Sequence, residues 1–173
     1  MKEIIMITGG VKSGKSSFAL TCGETGTTER AFVATATGAD DDMRAKIARH
    51  RAERGERWKT FEEPRNLAGL IPKIGGVFDV VLVDCLTMWV SNMLTLYTMT
   101  HSEIEDEFGK LCDALQKNTT RIILVTNEVG LGIMPADLLS RSYQNLLGML
   151  NNLIARRATS LYFMVSGVPL RMK

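Results

Sequence analysis

Short apolar runs alternate with stretches of helical spacing along this chain. EIIMIT (3–8), AFVAT (31–35), FDVVLV (78–83), RIILVT (121–126) and LYFMVS (161–166) are apolar nearly throughout, with no alternation of polar positions. Each reads as a strand buried on both faces. Trp58-Lys59-Thr60-Phe61 reads as a shorter extended piece. Between these runs the pattern turns helical. KSSFALTC (15–22) reads as the opening of a helix, 41–54 as a charged helix, and 87–96 as a further helical stretch. Ser102 and Glu105 have the spacing of a capping box, and Ile104, Phe108, Leu111 and Leu115 recur behind them at helical intervals. A long helix is predicted over 136–157, with Leu139, Tyr143, Leu146, Leu147, Leu150, Leu153 and Ile154 on one stripe. Apolar strands separated by helices predict an α/β protein, its mostly parallel sheet covered on both faces.

In such a sheet, ligands bind outside the carboxyl ends of the strands. The residues found there are small, polar or acidic: Gly9–Ser16, Thr35-Ala36-Thr37-Gly38, Asp84, Asn127-Glu128 and Ser166-Gly167. Composition adds bounds. The chain has 173 residues and no linker, repeat or low-complexity tract, so a single domain over 1–173 is expected. A net charge of +2 leaves no basic footprint for nucleic acid. The longest apolar stretch, VVLVDCLTMWV (80–90), contains Asp84 and falls well short of the ~20 residues of a membrane span. The first residues read as a strand, so a secretory segment is not expected there. Cys22, Cys85 and Cys112 form no CxxC pair and read as reduced thiols. The expected location is cytoplasmic.

GGVKSGKS (9–16) fits G-x-x-x-x-G-K-S, and a strand precedes it and a helix follows, the setting of a P-loop. Gly9, Gly10 and Gly14 permit backbone angles that aim successive N–H groups inward around an anion, together with Val11, Lys12 and Ser13. The helix that follows contributes the positive end of its dipole. Lys15 reaches the β- and γ-phosphates, and Ser16 can hold Mg²⁺. A P-loop also needs an acid beyond the metal, and Asp84 at the end of FDVVLVD suits that role. The alternative is that Asp84 only caps the next helix.

The other unusual stretch is DDDMRAKIARHRAERGERW (40–58), in which Met43, Ile47 and His50 share one helical face. Arg49, Arg51 and Arg54 surround His50. A packed histidine on a helix whose charges follow the macrodipole is one reading. The other is a nucleophile toward phosphorus, its pKa depressed by the arginines, which also neutralise the charge that develops. His101, which precedes a helix without such neighbours, reads as a surface residue.

The chain resembles the bifunctional adenosylcobinamide kinase/adenosylcobinamide-phosphate guanylyltransferases of cobalamin biosynthesis. The matching features span nearly its whole length: ITGGVKSGKS (7–16), AT (34–35), the Asp-rich turn with MRAKIARHR (43–51), W-x-T-x-E (58–62), VDCLTMWVSNML (83–94), VTNEVGLGIMP (125–135) and VSG (165–167). The resemblance implies a RecA-like P-loop NTPase fold and a trimeric assembly. It implies that His50 carries a covalent GMP and that Thr35 and Ala36 line the site. Arg51 and Arg54 would face the nucleotide, and Glu62 would accept hydrogen bonds from guanine. Departures are the run Asp40-Asp41-Asp42-Met43 in place of Asp-x-Glu-Met, Lys46 in place of Arg, and Gln144-Asn145 where Arg-Asp is usual.

The reading that follows has two reactions on one domain. A nucleoside triphosphate, ATP or GTP, phosphorylates adenosylcobinamide. GMP is then transferred from GTP through His50 to adenosylcobinamide phosphate, giving adenosylcobinamide-GDP. The expected catalytic residues are Lys15 and His50, with Mg²⁺ held by Ser16 and Asp84. Glu128 is a geometric candidate for the base of the kinase step. A P-loop kinase without guanylyl transfer is the rival enzyme. A nucleotide-dependent binding module is the rival of another class; it calls for a surface apolar patch, and none is visible in the sequence.

Overall fold

A computed structural model describes residues 3–37 and 57–173. The expected helix over 41–54, with the Asp-rich turn, Lys46, His50, Arg51 and Arg54, lies outside the described residues. In chain order the elements are β1 (Ile4–Gly9), α1 (Lys15–Glu24), β2 (Arg30–Ala34), β3 (Lys59–Glu62), α2 (Leu67–Ile74), β4 (Val80–Asp84), α3 (Leu86–Ser91), α4 (His101–Lys117), β5 (Arg121–Val125), α5 (Leu138–Arg157), β6 (Ser160–Val165) and β7 (Val168–Arg171). After α3 the chain makes a wider π-helical turn over Asn92–Leu96. The strands form one sheet in the order β3-β2-β4-β5-β1-β6-β7. Every neighbouring pair is parallel except β6–β7.

The alternation of side chains along each strand assigns two cores. Ile4 and Met6 of β1, Val81 and Val83 of β4, and Ile122 and Leu124 of β5 face α2, α4 and α5, where they meet Ile71, Leu111 and Leu150. Ile5 and Ile7, Val80 and Leu82, and Ile123 face the other way, toward Ala19 of α1 and Trp58. Trp58 lies so close to Gly23 of α1 that a Cβ there would overlap the indole ring. Apolar runs without alternation had the meaning expected of them in β1, β2, β4 and β5, which are buried on both faces; β6, beside the exposed strand β7, departs from it, with Met164 alone fully buried and Val165 exposed.

Several expectations change in detail. The capping box of α4 is Thr100 with Glu103, two residues before the Ser102–Glu105 pair. The Thr100 hydroxyl accepts from the Glu103 N–H at 3.3 Å, and the Glu103 carboxylate accepts from the Thr100 N–H at 2.7 Å. Both pairs have the required spacing. Thr100 prevails because it has the extended backbone of a helix entry (φ −68°, ψ 160°), whereas Ser102 is already helical. Leu139, expected on the buried stripe of α5, is 55% exposed, and full burial along that helix begins only at Leu146. Helix α2 was not predicted; Gly69 and Pro72 disguise its buried Leu67, Ile71 and Ile74. Strand β7 was also missed. Its Pro169 suits an edge strand only, and its four residues are all exposed.

Candidate active site

The six parallel strands end along one edge of the sheet, and the P-loop leaves from the end of β1 at that edge. Gly9 (φ 145°), Lys12 (φ 55°) and Gly14 (φ 92°) take positive φ angles, which turn the backbone around a concave loop. Gly9 has a second constraint: a Cβ would lie 2.5 Å from the Met164 carbonyl oxygen of β6. Gly14 is the N-cap of α1, and no side chain caps the helix. Its first N–H groups are thereby left to a ligand.

Lys15 is buried and bends back over the loop. Its ammonium donates to the Gly10 carbonyl at 2.5 Å and lies 3.4 Å from the Ser13 hydroxyl. The positive charge is thus held above the mouth of the nest. Two neighbours brace the loop. Gly167, in the β6–β7 turn, donates its N–H to the Ser13 carbonyl at 3.0 Å. Glu128, after β5, donates its N–H to the Gly9 carbonyl at 3.1 Å. Sequence reasoning placed both turns at the site edge without assigning them this bracing role.

Asp84 ends β4, two strands from β1, with β5 between them. It is half-buried, and the peptide bond to Cys85 is cis. The N-cap of α3 is Cys85, in extended backbone conformation. Ser16 lies in the first turn of α1 and is also half-buried. Hydroxyl and carboxylate oxygens are hard donors of the kind Mg²⁺ takes. Among the described residues no group of three or more His, Cys, Asp or Glu side chains could hold a metal. The donor set fits an ion that draws its remaining ligands from phosphates and water.

Thr35 is fully buried, and its hydroxyl is committed to the bend after β4. It donates to the Cys85 carbonyl at 2.7 Å and accepts from the Cys85 N–H at 2.9 Å. Asn92, in the π-helical turn, donates to the Thr35 carbonyl at 2.8 Å and to that of Pro64 at 3.0 Å. Thr35 thus supports Asp84 through the backbone. Ala36 follows it, half-buried, at the same edge. Glu62 is exposed at the end of β3, the outermost strand, in register with Ala34 of β2 and so two strands from Asp84.

The turn after β5 is built by groups that the sequence reading did not identify. The Thr87 hydroxyl accepts from the Asn127 N–H at 2.9 Å, and Asn151 of α5 donates to the Asn127 carbonyl at 3.0 Å. Gln144 donates to the Val129 carbonyl at 2.7 Å, while Asn145 points to solvent as an exposed residue. The only hint of this in sequence is polar residues at otherwise apolar helix positions. Desolvation and the Asp84 charge push the Cys85 thiol up to about 11. Desolvation likewise raises Tyr143, whose hydroxyl donates to the Thr87 carbonyl at 3.3 Å. Neither side chain is available as a base near neutral pH.

Beyond this turn the surface is apolar. Leu131, Ile133, Met134 and Leu138 are all exposed. The sequence concealed this patch because VGLGIMP has neither a helical nor a strand period. His101 is exposed, as expected. The three cysteines are free thiols. No helix among the described residues is long and apolar enough to cross a membrane.

Comparison with known proteins bears on what this edge is for. A bifunctional adenosylcobalamin biosynthesis protein, CobP, of Pseudomonas aeruginosa is 38% identical over 173 residues, covering 100% of this chain and 98% of the relative. The bifunctional adenosylcobalamin biosynthesis protein CobU of Escherichia coli K12 is 34% identical, covering 98% and 99%. Among solved structures, the RadB recombinase superposes with a TM-score of 0.50 at 17% identity, covering 94% of this chain and 74% of that one. That likeness, with the strand order, gives a RecA-like P-loop fold. The sequence model of the cobinamide kinase / cobinamide phosphate guanyltransferase family matches residues 5–172. This chain belongs to that family, and it is an enzyme of the kinase and guanylyltransferase class that uses nucleoside triphosphates.

Proposed function

We propose that one domain carries out two successive transfers to a corrinoid. In the first, a nucleoside triphosphate lies with its phosphates on Gly9–Ser16 and gives its γ-phosphoryl group to the aminopropanol hydroxyl of adenosylcobinamide. In the second, the imidazole of His50 attacks the α-phosphorus of GTP and pyrophosphate leaves. The phosphate of adenosylcobinamide phosphate then displaces histidine from the GMP, giving adenosylcobinamide-GDP and free His50. The observation that carries the reading is the braced P-loop with the Lys15 ammonium held over its mouth. Family membership supplies the acceptor class.

Lys15 and the N–H groups of the loop hold the phosphates and stabilise charge on the group being transferred. Mg²⁺ would be held by Ser16 and Asp84, and when bound it neutralises phosphate charge. Thr35, through its backbone, and Ala36 would border the nucleotide, Glu62 would read guanine N1–H and N2–H₂, and Arg51 and Arg54 would face the phosphates. The exposed Val165, Val168, Leu170 and Met172 around the β6–β7 hairpin support association of several copies, a trimer by resemblance. A cytoplasmic enzyme is the corresponding expectation.

The test uses GTP labelled at the α-phosphate. Incubation with Mg²⁺, denaturation and recovery of the chain should yield acid-labile, base-stable label that is lost in His50→Ala. A chain that binds GTP and phosphorylates adenosylcobinamide but takes up no α-label would be a kinase only, and His50 would be a packed helix residue.

A further inference from the structure

We propose that Glu128 is the general base of the kinase step; this rests on the reading that the γ-phosphoryl group is transferred at Gly9–Ser16. The topology supplies the first argument. β5 lies between β1, which ends in the P-loop, and β4, which ends in Asp84. Whatever follows β5 therefore stands between the phosphate nest and the acid. The hydrogen bonds sharpen this placement. The Glu128 N–H is held by the Gly9 carbonyl at 3.1 Å, and the Lys15 ammonium is held by the next carbonyl, Gly10, at 2.5 Å. The carboxylate-bearing residue and the phosphate-binding cation are thus anchored to consecutive peptide units.

The turn is also braced from two helices. Asn127 is fixed by Thr87 and Asn151, and the Val129 carbonyl by Gln144, so α3 and α5 both hold the backbone around Glu128. A base positioned this way loses little freedom when substrate binds. The other carboxylates at this edge are placed for different tasks. Glu63 accepts from the Arg65 and Asn66 N–H groups, and Asp137 caps α5 through the Ser140 N–H. Glu62 is on the outermost strand, and Asp84 is the proposed metal ligand. Among the described residues no lysine or arginine forms an ion pair with Glu128.

In the step, the acceptor hydroxyl oxygen bonds to the γ-phosphorus as the bond from that phosphorus to the β,γ-bridging oxygen breaks. The nucleoside diphosphate leaves with that electron pair, and the hydroxyl proton passes to the Glu128 carboxylate. One oxygen of this carboxylate also accepts from the Gly130 N–H at 2.6 Å, which is a structural duty. Glu128→Gln retains an oxygen for that bond and removes the base, so it separates the two roles.

The experiment measures phosphorylation of adenosylcobinamide by wild type, Glu128→Gln and Glu128→Asp, alongside labelling from α-labelled GTP. Glu128→Gln should lower kinase kcat by roughly 10²–10⁴-fold, with nucleotide KM and α-label uptake unchanged. Glu128→Asp, which keeps a carboxylate, should turn over faster than Glu128→Gln. Kinase turnover in Glu128→Gln within about threefold of wild type, far short of the loss a base entails, overturns the assignment. So does a parallel loss of kinase activity and α-label, which would make Glu128 a brace of the loop. A wild-type chain that fails to phosphorylate the corrinoid would sink the kinase reading itself, an outcome distinct from an active wild type with an equally active variant.

Discussion

Thr35→Val tests whether the acid at the end of β4 is supported from β2. Valine fills nearly the same volume, so packing is preserved and the change removes chiefly a hydroxyl. That hydroxyl makes two hydrogen bonds in a fully buried setting, donating to the Cys85 carbonyl and accepting from the Cys85 N–H. The carbonyl keeps a second partner, the Trp89 N–H at 3.2 Å. The Cys85 N–H has no such replacement in view. The cost is one ordinary hydrogen bond, about 1 kcal/mol, plus about 1–3 kcal/mol for a buried donor left unsatisfied. The sum is about 2–4 kcal/mol. In a chain of this size each kcal/mol lowers Tm by about 2–4 °C, so a fall of roughly 4–16 °C is expected. Thr35→Ser keeps the hydroxyl and loses one methyl, at about 1 kcal/mol. Urea unfolding followed by far-UV circular dichroism, with the m-value checked for constancy, gives the comparison. Thr35→Val no less stable than Thr35→Ser would refute the account of this bend.

Two further outcomes follow from the same geometry. Gly9→Ala should destabilise by about 1–3 kcal/mol, because alanine must adopt a glycine backbone angle and its Cβ meets the Met164 carbonyl. Gly10→Ala, with no atom within 4 Å of its added Cβ, should be close to neutral in the same thermal melts, and equal Tm values for the two variants would contradict the argument. Cys85 gives a pH signature. Its folded thiol is raised from 9.0 to about 11, so its contribution to stability is complete below the unfolded value and is lost as pH rises from 9.0 through about 11. Cys85→Ala should flatten this alkaline fall in urea midpoints; an identical fall in both proteins would assign it to other groups.

Much of this protein was legible from sequence because the signals are local. A P-loop is eight consecutive residues whose types are dictated by one backbone shape, and Gly9, Gly14 and Lys15 have the conformations that shape requires. Apolar runs without alternation determined that β1, β2, β4 and β5 are covered on both sides, and hence a mostly parallel sheet with helices on each face. Asp84 and Glu128 could be picked out because each stands within two residues of the end of such a run.

What the sequence left open depends on contacts between distant segments. No local rule distinguishes Thr100 from Ser102 as the cap of α4, since both have the spacing and only the entry angle of the chain decides. Thr35 read as a site-lining residue, yet its hydroxyl is bound to a backbone fifty positions away, and only the pairing of β2 with β4 brings them together. Gln144 read as a departure from a charge pattern, and the fold shows it holding the turn after β5. Strand order itself was undetermined by sequence, because apolar strands of similar length are interchangeable until helices and loop lengths choose among them. That order places the turn bearing Glu128 between the phosphate loop and Asp84. The chain specifies which residue types can bind phosphate; only the folded sheet brings the groups that act on the phosphate to one edge.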